Sequence, residues 1–240
     1  MSSQNQIKVS IIIPVYNEEK TIIDILKKVN LQKINSISME IIVINDGSKD
    51  CSLELLKNNP KLYTKLINLE KNKGKGGAVR EGLKSAIGDY ILFQDADMEY
   101  DPSEYEKLLE PVIKFDADIV IGSRLMASSL TRRGGYAKNR IGNNFITSLF
   151  NLLNKTTFTD IYSGYLIFRR SNITPSKLRA DGWDQQAEIL SKIIKNSSKI
   201  YDVPIVYNGR TYDEGKKIKP KHILGIIGII IREKIMPTEN

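Results

Sequence analysis

Tyr90-Ile-Leu-Phe-Gln-Asp-Ala-Asp-Met-Glu-Tyr-Asp101 is the stretch that decides the fold. Its first four residues are apolar and rich in strand-prone aromatics, the mark of a short buried strand. The rest turns acidic: Asp95, Asp97, Glu99 and Asp101 stand at alternate positions where the strand must stop. Alternate side chains of an extended segment point to one side. Two or three carboxylates converging there suit a hard cation such as Mg²⁺ or Mn²⁺. In open α/β sheets, ligands bind outside the carboxyl ends of the strands. An Asp-x-Asp alone is common, and a solvated acidic turn is the bland alternative. The apolar strand before it, and the loops that accompany it, favour a ligand site.

Outward from this stretch, apolar runs alternate with amphipathic ones. Residues 9–13 are apolar except for Ser10 and close at Pro14, which reads as a buried parallel strand. Asn17 and Glu18 are expected to open a helix reaching residue 29. Residues 39–44 form a second strand, ending at Asn45-Asp-Gly-Ser48, and a helix follows to residue 58. A short strand over 63–69 leads to a helix that starts at Gly74 and stops near Gly88. Beyond the acidic strand, 102–114 reads as a helix containing Pro111, and 118–121 as a strand. This alternation predicts an α/β fold: a Rossmann-like, mainly parallel sheet with helices on both faces and right-handed crossovers.

The loops Pro14-Val-Tyr-Asn-Glu18, Asp46-Gly-Ser48 and Gln94-Asp-Ala-Asp97 all fall at carboxyl ends of strands, so they can surround one ligand. Glu18 or Asp46 would accept hydrogen bonds from a base or ribose, and Asp97 would hold a metal that neutralises a diphosphate. Each has a plainer role: Glu18 complements a helix dipole, and Asp46-Gly47 makes a turn with Ser48 as a cap. Their common placement favours the ligand. The cluster Gly74-Lys-Gly-Gly77 is neither a P-loop nor a dinucleotide fingerprint, because Lys75 is followed by Gly76 and position 79 is Val. Lys75 stands either at a ligand phosphate or in solvent.

The 240 residues, 41% hydrophobic and 27% charged, suffice for one sizeable domain, expected over residues 1–240. The single Cys51 excludes an internal disulfide and points to a reducing compartment. With a single histidine, His222, a metal site must rest on carboxylates. A net charge of +8 favours an anionic partner: nucleotide, nucleic acid or membrane surface. No signal peptide is read at the N-terminus, and the expected location is cytoplasmic.

From 119 to 159 there is no acidic residue, but there are Arg124, Arg132, Arg133, Lys138, Arg140 and Lys155. Ile141, Phe145, Leu149 and Leu152 share one helical face. Residues 164–168 read as a strand, 185–195 as a helix and 199–206 as a last strand, followed by a basic loop over 209–217. The aliphatic run 223–231 is too short to cross a bilayer at ~1.5 Å per residue.

The chain resembles family 2 glycosyltransferases of the GT-A fold, and among them the dolichyl- or polyprenyl-phosphate sugar synthases, over residues 8–222. The resemblance rests on Ile12-Ile-Pro-Val-Tyr-Asn-Glu18, Asn45-Asp-Gly-Ser48, Asn72-Lys-Gly-Lys-Gly76, Phe93-Gln-Asp-Ala-Asp97, Ile121-Gly-Ser-Arg124, Ser163-Gly-Tyr165, Gly209-Arg-Thr-Tyr212 and Glu214-Gly-Lys-Lys217. It implies a nucleotide-sugar-binding half over 8–124 and an acceptor-binding half over 125–240 with a C-terminal interfacial helix, and that Pro14, Tyr16, Glu18 and Asp46 hold the nucleoside. Asp95 and Asp97 would bind ribose, diphosphate and metal, with Glu99 as a third metal ligand. Arg124 and Arg210 would face the donor diphosphate and acceptor phosphate, and Lys216 would add charge there. Where many relatives show two glutamates before the late helix, this chain has Gln186 and Glu188. Asp184 and Glu188 remain candidate bases for a hydroxyl acceptor.

The expected function is a metal-dependent, inverting transfer of a hexose from a UDP- or GDP-sugar to a polyprenyl phosphate, by an enzyme lying peripherally on the cytoplasmic membrane face. One alternative is a family 2 transferase acting on a sugar or glycan hydroxyl. Another is a basic nucleic-acid-binding protein, disfavoured because the aromatics are not interleaved with the basic residues. No nucleic acid partner is expected, and an oligomer is allowed.

Overall fold

The computed structural model describes residues 6–126, 137–209 and 222–236. Their strands are β1 (Ile7–Val15), β2 (Ile37–Asn45), β3 (Lys65–Asn68), β4 (Tyr90–Phe93), β5 (Ile119–Ser123), β6 (Leu166–Arg169) and β7 (Ile200–Pro204). Their helices are α1 (Ile22–Leu31), α2 (Ser52–Asn58), α3 (Gly74–Ser85), α4 (Tyr105–Phe115), α5 (Ala137–Asn154), α6 (Gln185–Ile193) and α7 (His222–Ile235). One sheet runs in the order β3-β2-β1-β4-β6-β5-β7. It is parallel except for β6, which lies antiparallel between β4 and β5. Ile167 is paired to Leu92 on one side and Val120 on the other, so the second half of the chain is woven into the middle of the sheet.

Both faces of the sheet are covered, so its strands are apolar on both sides, as buried parallel strands must be. Ile12, Ile42, Ile44, Ile91 and Phe93 pack in a cluster that includes Ala78 and Leu83 of α3, Ile146 and Phe150 of α5, Ile189 of α6 and Ile229 of α7. Ile11, Ile13, Val43 and Leu92 pack in a second cluster with Ile25 of α1 and Leu108 of α4. Each such fully buried side chain contributes about 1.5–3 kcal/mol. Gly82 permits the approach of α3, because a Cβ there would stand 2.8 Å from Ile12 and Ile44.

The boundary furthest from expectation is the start of the first helix. The first helix starts at Ile22, not Asn17. Asn17 takes a left-handed φ of 54°, which Asn tolerates, and the residues before Ile22 form a turn instead of a first helical turn.

On α5, Ile146 and Phe150 are buried, whereas Ile141 (70%), Phe145 (59%) and Leu152 (78%) are exposed. On α7, Ile226, Ile229 and Ile230 are buried and Leu224 is exposed. A Cβ on Gly142 would stand 3.4 Å from Ile223, so the second turn of α5 lies against the first turn of α7. A buried ion pair between Lys192 and Glu233, 3.1 Å, joins α6 to α7. Among the described residues, no helix is long and apolar enough to cross a membrane.

Candidate active site

The loops after β1, β2 and β4 are fastened to one another by side chains. Asn17 N–H donates to Ser48 Oγ at 3.1 Å, Lys49 N–H to Asn17 Oδ1 at 2.8 Å, and Glu18 N–H to Ser52 Oγ at 2.9 Å. These bonds explain the turn at Asn17: its backbone serves the second loop rather than a helix. Thr21 Oγ1 donates to the Ala96 carbonyl at 2.8 Å, and Lys28 Nζ lies 2.5 Å from Asp101, which ties α1 to the acidic loop. Pro14, Tyr16 and Glu18 are each half-buried along this rim. Glu18 accepts from Thr21 Oγ1 at 3.2 Å.

Asp46 is almost wholly buried. Its Oδ1 accepts from Lys73 N–H at 2.7 Å. Burial raises its pKa, and the Lys73 and Gly74 amides work against that rise. Gly47 takes a φ of +63°, and a Cβ there would stand 2.8 Å from the Asn72 amide, so no larger residue fits the turn.

Gln94 fixes the acidic loop. It is fully buried, and its side chain carries four hydrogen bonds. Its side-chain carbonyl accepts from the hydroxyls of Tyr105 (2.8 Å) and Tyr165 (3.1 Å), and its amide donates to the carbonyls of Asp95 (2.9 Å) and Tyr100 (3.2 Å). All these groups are desolvated, so the network holds one conformation. Sequence reading passed over Gln94; its one signal was a polar residue closing an apolar strand.

Asp95 and Lys75 form an ion pair at 2.5 Å, with both side chains 21% exposed. The same ammonium lies 5.3 Å from the centre of the Trp183 ring. The glycines around Lys75 have a packing cause. Gly76 N–H donates to the Asp181 carbonyl at 2.8 Å, and a Cβ on Gly74 or Gly76 would stand 2.3 Å from the carbonyl of Asp181 or Ala180. The start of α3 is thus pressed onto the 180–182 backbone. Behind Asp95, a Cβ on Gly164 would stand 2.8 Å from the carboxylate.

Asp97 Oδ1 accepts from Glu99 N–H at 3.1 Å. Glu99 Oε2 accepts from the Tyr207 hydroxyl at 2.8 Å. Burial pushes the Tyr207 hydroxyl pKa far up, so it remains a donor. The Tyr207 ring carries the Arg124 guanidinium at 5.2 Å. Arg124 in turn forms a two-pronged pair with the buried Asp160, at 2.7 and 2.9 Å. Burial alone would lower the Arg124 pKa, but the Asp160 charge holds it well above the ordinary value. The expected phosphate partner is therefore committed to a carboxylate 36 residues away.

Glu188 is fully buried. Its carboxylate accepts from the amides of Arg179 (3.0 Å) and Ala180 (2.8 Å), with Arg232 at 3.4 Å. It holds the 179–180 backbone in place, and the structure does not present it as a solvent-facing base. Arg210 and Lys216 lie outside the described residues.

The donor chemistry fits a divalent cation in part. Asp95 and Asp97 offer hard oxygens at a strand end, and Mg²⁺-like ions take one or two carboxylates with the rest of their shell from substrate phosphates and water. Among the described residues, no three His, Cys, Asp or Glu side chains converge as a metal cage. Glu99, expected as a third ligand, is turned to Tyr207 instead.

Comparison with known proteins agrees with this architecture. The model of the family Glycosyl transferase family 2 matches residues 10–174. The dolichol-phosphate mannosyltransferase of Pyrococcus furiosus is 30% identical over 227 residues, 94% of this chain and 63% of that protein, so the chain spans less than two thirds of that relative. The dolichyl-phosphate beta-glucosyltransferase of Dictyostelium discoideum is 32% identical over 234 residues, 90% of this chain and 70% of that one. Among solved structures, glucosyl-3-phosphoglycerate synthase from Mycobacterium tuberculosis, in complex with Mn²⁺, UDP-glucose and phosphoglyceric acid, superposes with a TM-score of 0.70 at 18% identity, over 97% of this chain and 81% of that one. That likeness speaks to the fold. With a family match across most of its length and the strand-end loops in place, the chain belongs to glycosyltransferase family 2 and has the GT-A fold.

Proposed function

We infer that this glycosyltransferase moves a hexose from a UDP- or GDP-sugar to a polyprenyl-type phosphate, with inversion and with Mg²⁺ or Mn²⁺, at a membrane surface. The observation that carries this reading is the fastening of three strand-end loops to one another beside Asp95 and Asp97. The relatives named for dolichol-phosphate substrates direct it to a lipid phosphate.

Pro14, Tyr16, Glu18 and Asp46 are assigned to the nucleoside. Asp95 and Asp97 would hold the cation, which when bound offsets charge on the leaving diphosphate. Lys75, Arg210 and Lys216 add positive charge around the donor diphosphate and the acceptor phosphate; the Arg124 charge is matched by Asp160. An acceptor phosphate oxygen attacks the anomeric carbon from the face opposite the diphosphate. A carbon–oxygen bond to the acceptor forms as the bond to the diphosphate breaks, and the nucleoside diphosphate leaves. That oxygen is already ionised near neutral pH, so no strong base is required, which accords with the buried, hydrogen-bonded Glu188.

The exposed apolar stripe on α5 beside Arg140 supplies a surface that suits peripheral attachment to anionic lipid. The test is a panel of UDP- and GDP-sugars offered with polyprenyl phosphate and Mg²⁺ or Mn²⁺, with mass spectrometry of the lipid fraction. A hexosyl lipid phosphate from one donor supports the reading. Transfer only to water-soluble hydroxyl acceptors would replace it.

A further inference from the structure

We propose that Lys75 is a built-in occupant of the cation position on Asp95, and that it makes divalent-cation binding depend on the nucleotide. This rests on the reading of Asp95 as a cation ligand. The ammonium lies 2.5 Å from Asp95 Oδ1, and the pair is mostly shielded from water, each side chain being 21% exposed. A monovalent charge so placed satisfies the carboxylate and repels a second cation at close range.

The lysine is also held where it can change partner. Its backbone is fixed, because the start of α3 is bonded to the Asp181 carbonyl at 2.8 Å. Its four-carbon stem is flexible. Its ammonium also lies over the Trp183 ring, 5.3 Å from the centroid. A cation arriving alone must displace the ammonium with no anion to receive it. A nucleoside diphosphate beside Asp95 supplies that anion: Lys75 moves to a phosphate, and Asp95 is released and would be free to hold the cation. Cation and nucleotide then favour each other's binding, as linkage requires. Lys75 is in this sense a positioning residue acting through Asp95.

Trp183 is the single tryptophan of the chain, so its emission reports on the ammonium directly. The experiment titrates the full chain with Mn²⁺ alone, and again with saturating UDP or GDP, by calorimetry. The same additions with Mg²⁺ are followed by Trp183 emission. For the unmodified chain, nucleotide should tighten Mn²⁺ by about tenfold, within the usual range of coupling. Emission should shift only when nucleotide and Mg²⁺ are both present. Lys75→Met should tighten Mn²⁺ alone by about tenfold and lose most of the nucleotide dependence, and Lys75→Arg should keep it. Lys75→Met with unchanged or weaker affinity for Mn²⁺ alone overturns the proposal while leaving the proposed function standing. If Lys75→Met does not fold, the emission of the unmodified chain decides: no shift with both ligands overturns it. A chain that binds neither nucleotide nor cation overturns the proposed function and this inference together.

Discussion

The Tyr165 hydroxyl donates to the side-chain carbonyl of Gln94 at 3.1 Å, joining the segment that enters β6 to the root of the acidic loop. Gln94→Leu removes the partner of two buried hydroxyls and two carbonyls at once. A buried polar group left unpaired costs about 1–3 kcal/mol. The variant should lose roughly 2–4 kcal/mol in urea unfolding and most of its sugar transfer, because the backbone carrying Asp95 is no longer held. An unchanged unfolding midpoint would show that the network has no structural weight.

Gly164 faces Asp95 from behind. Gly164→Ala places a methyl group 2.8 Å from the carboxylate and from the Tyr100 ring. Overpacking of this kind costs about 1–3 kcal/mol, and here it also turns Asp95. The affinity for Mn²⁺ in the presence of nucleotide should fall, measured by calorimetry at constant nucleotide. Wild-type affinity would mean that the loop yields without moving the carboxylate.

The Arg124–Asp160 pair is the largest single commitment of charge near the site, with Asp160 fully buried and Arg124 14% exposed. Asp160→Ala leaves the guanidinium uncompensated, and breaking a buried pair this way costs about 3–5 kcal/mol. The loss should appear in chemical denaturation. A destabilisation below about 1 kcal/mol would place the pair among ordinary surface contacts.

Much of this was legible in the sequence, for physical reasons. β4 announced itself because both faces of the sheet are buried, so all four of its residues are apolar and the switch to acid marks its end. The order of the β–α units followed from the same patterning. Contacts between distant segments were not legible. Nothing local to Arg124 names Asp160 as its partner, nothing near Glu188 shows that its carboxylate caps the 179–180 amides, and Gly74 and Gly76 owe their smallness to the backbone of 180–181. Asn17 looked like a helix start because Glu18 and the following apolar spacing fit one, but its side chain is engaged by Lys49 of the next loop. The insertion of β6 between β4 and β5 likewise depends on the whole sheet.

The α5 stripe makes the proposed membrane attachment measurable. Phe145 is 59% exposed and Leu149 half-buried, so changing both to Asp should leave the fold intact by circular dichroism. Sedimentation with vesicles containing anionic lipid should show binding by the unmodified chain, weaker at high salt. The double variant should stay in the supernatant. Equal sedimentation of both proteins would move the contact elsewhere.

The loops around Asp95 and Asp97 are proposed to transfer sugar to a lipid phosphate. The most direct measurement is ³¹P and ¹H magnetic resonance of the lipid product made from an α-linked nucleotide-sugar. A phosphodiester signal with a β-anomeric proton is expected. That product should be absent with EDTA, restored by Mg²⁺ or Mn²⁺, and absent with Asp97→Asn, which keeps the shape of the side chain but not its charge. A lipid phosphate that remains a monoester while sugar appears on a hydroxyl, or full activity in EDTA or with Asp97→Asn, would contradict it.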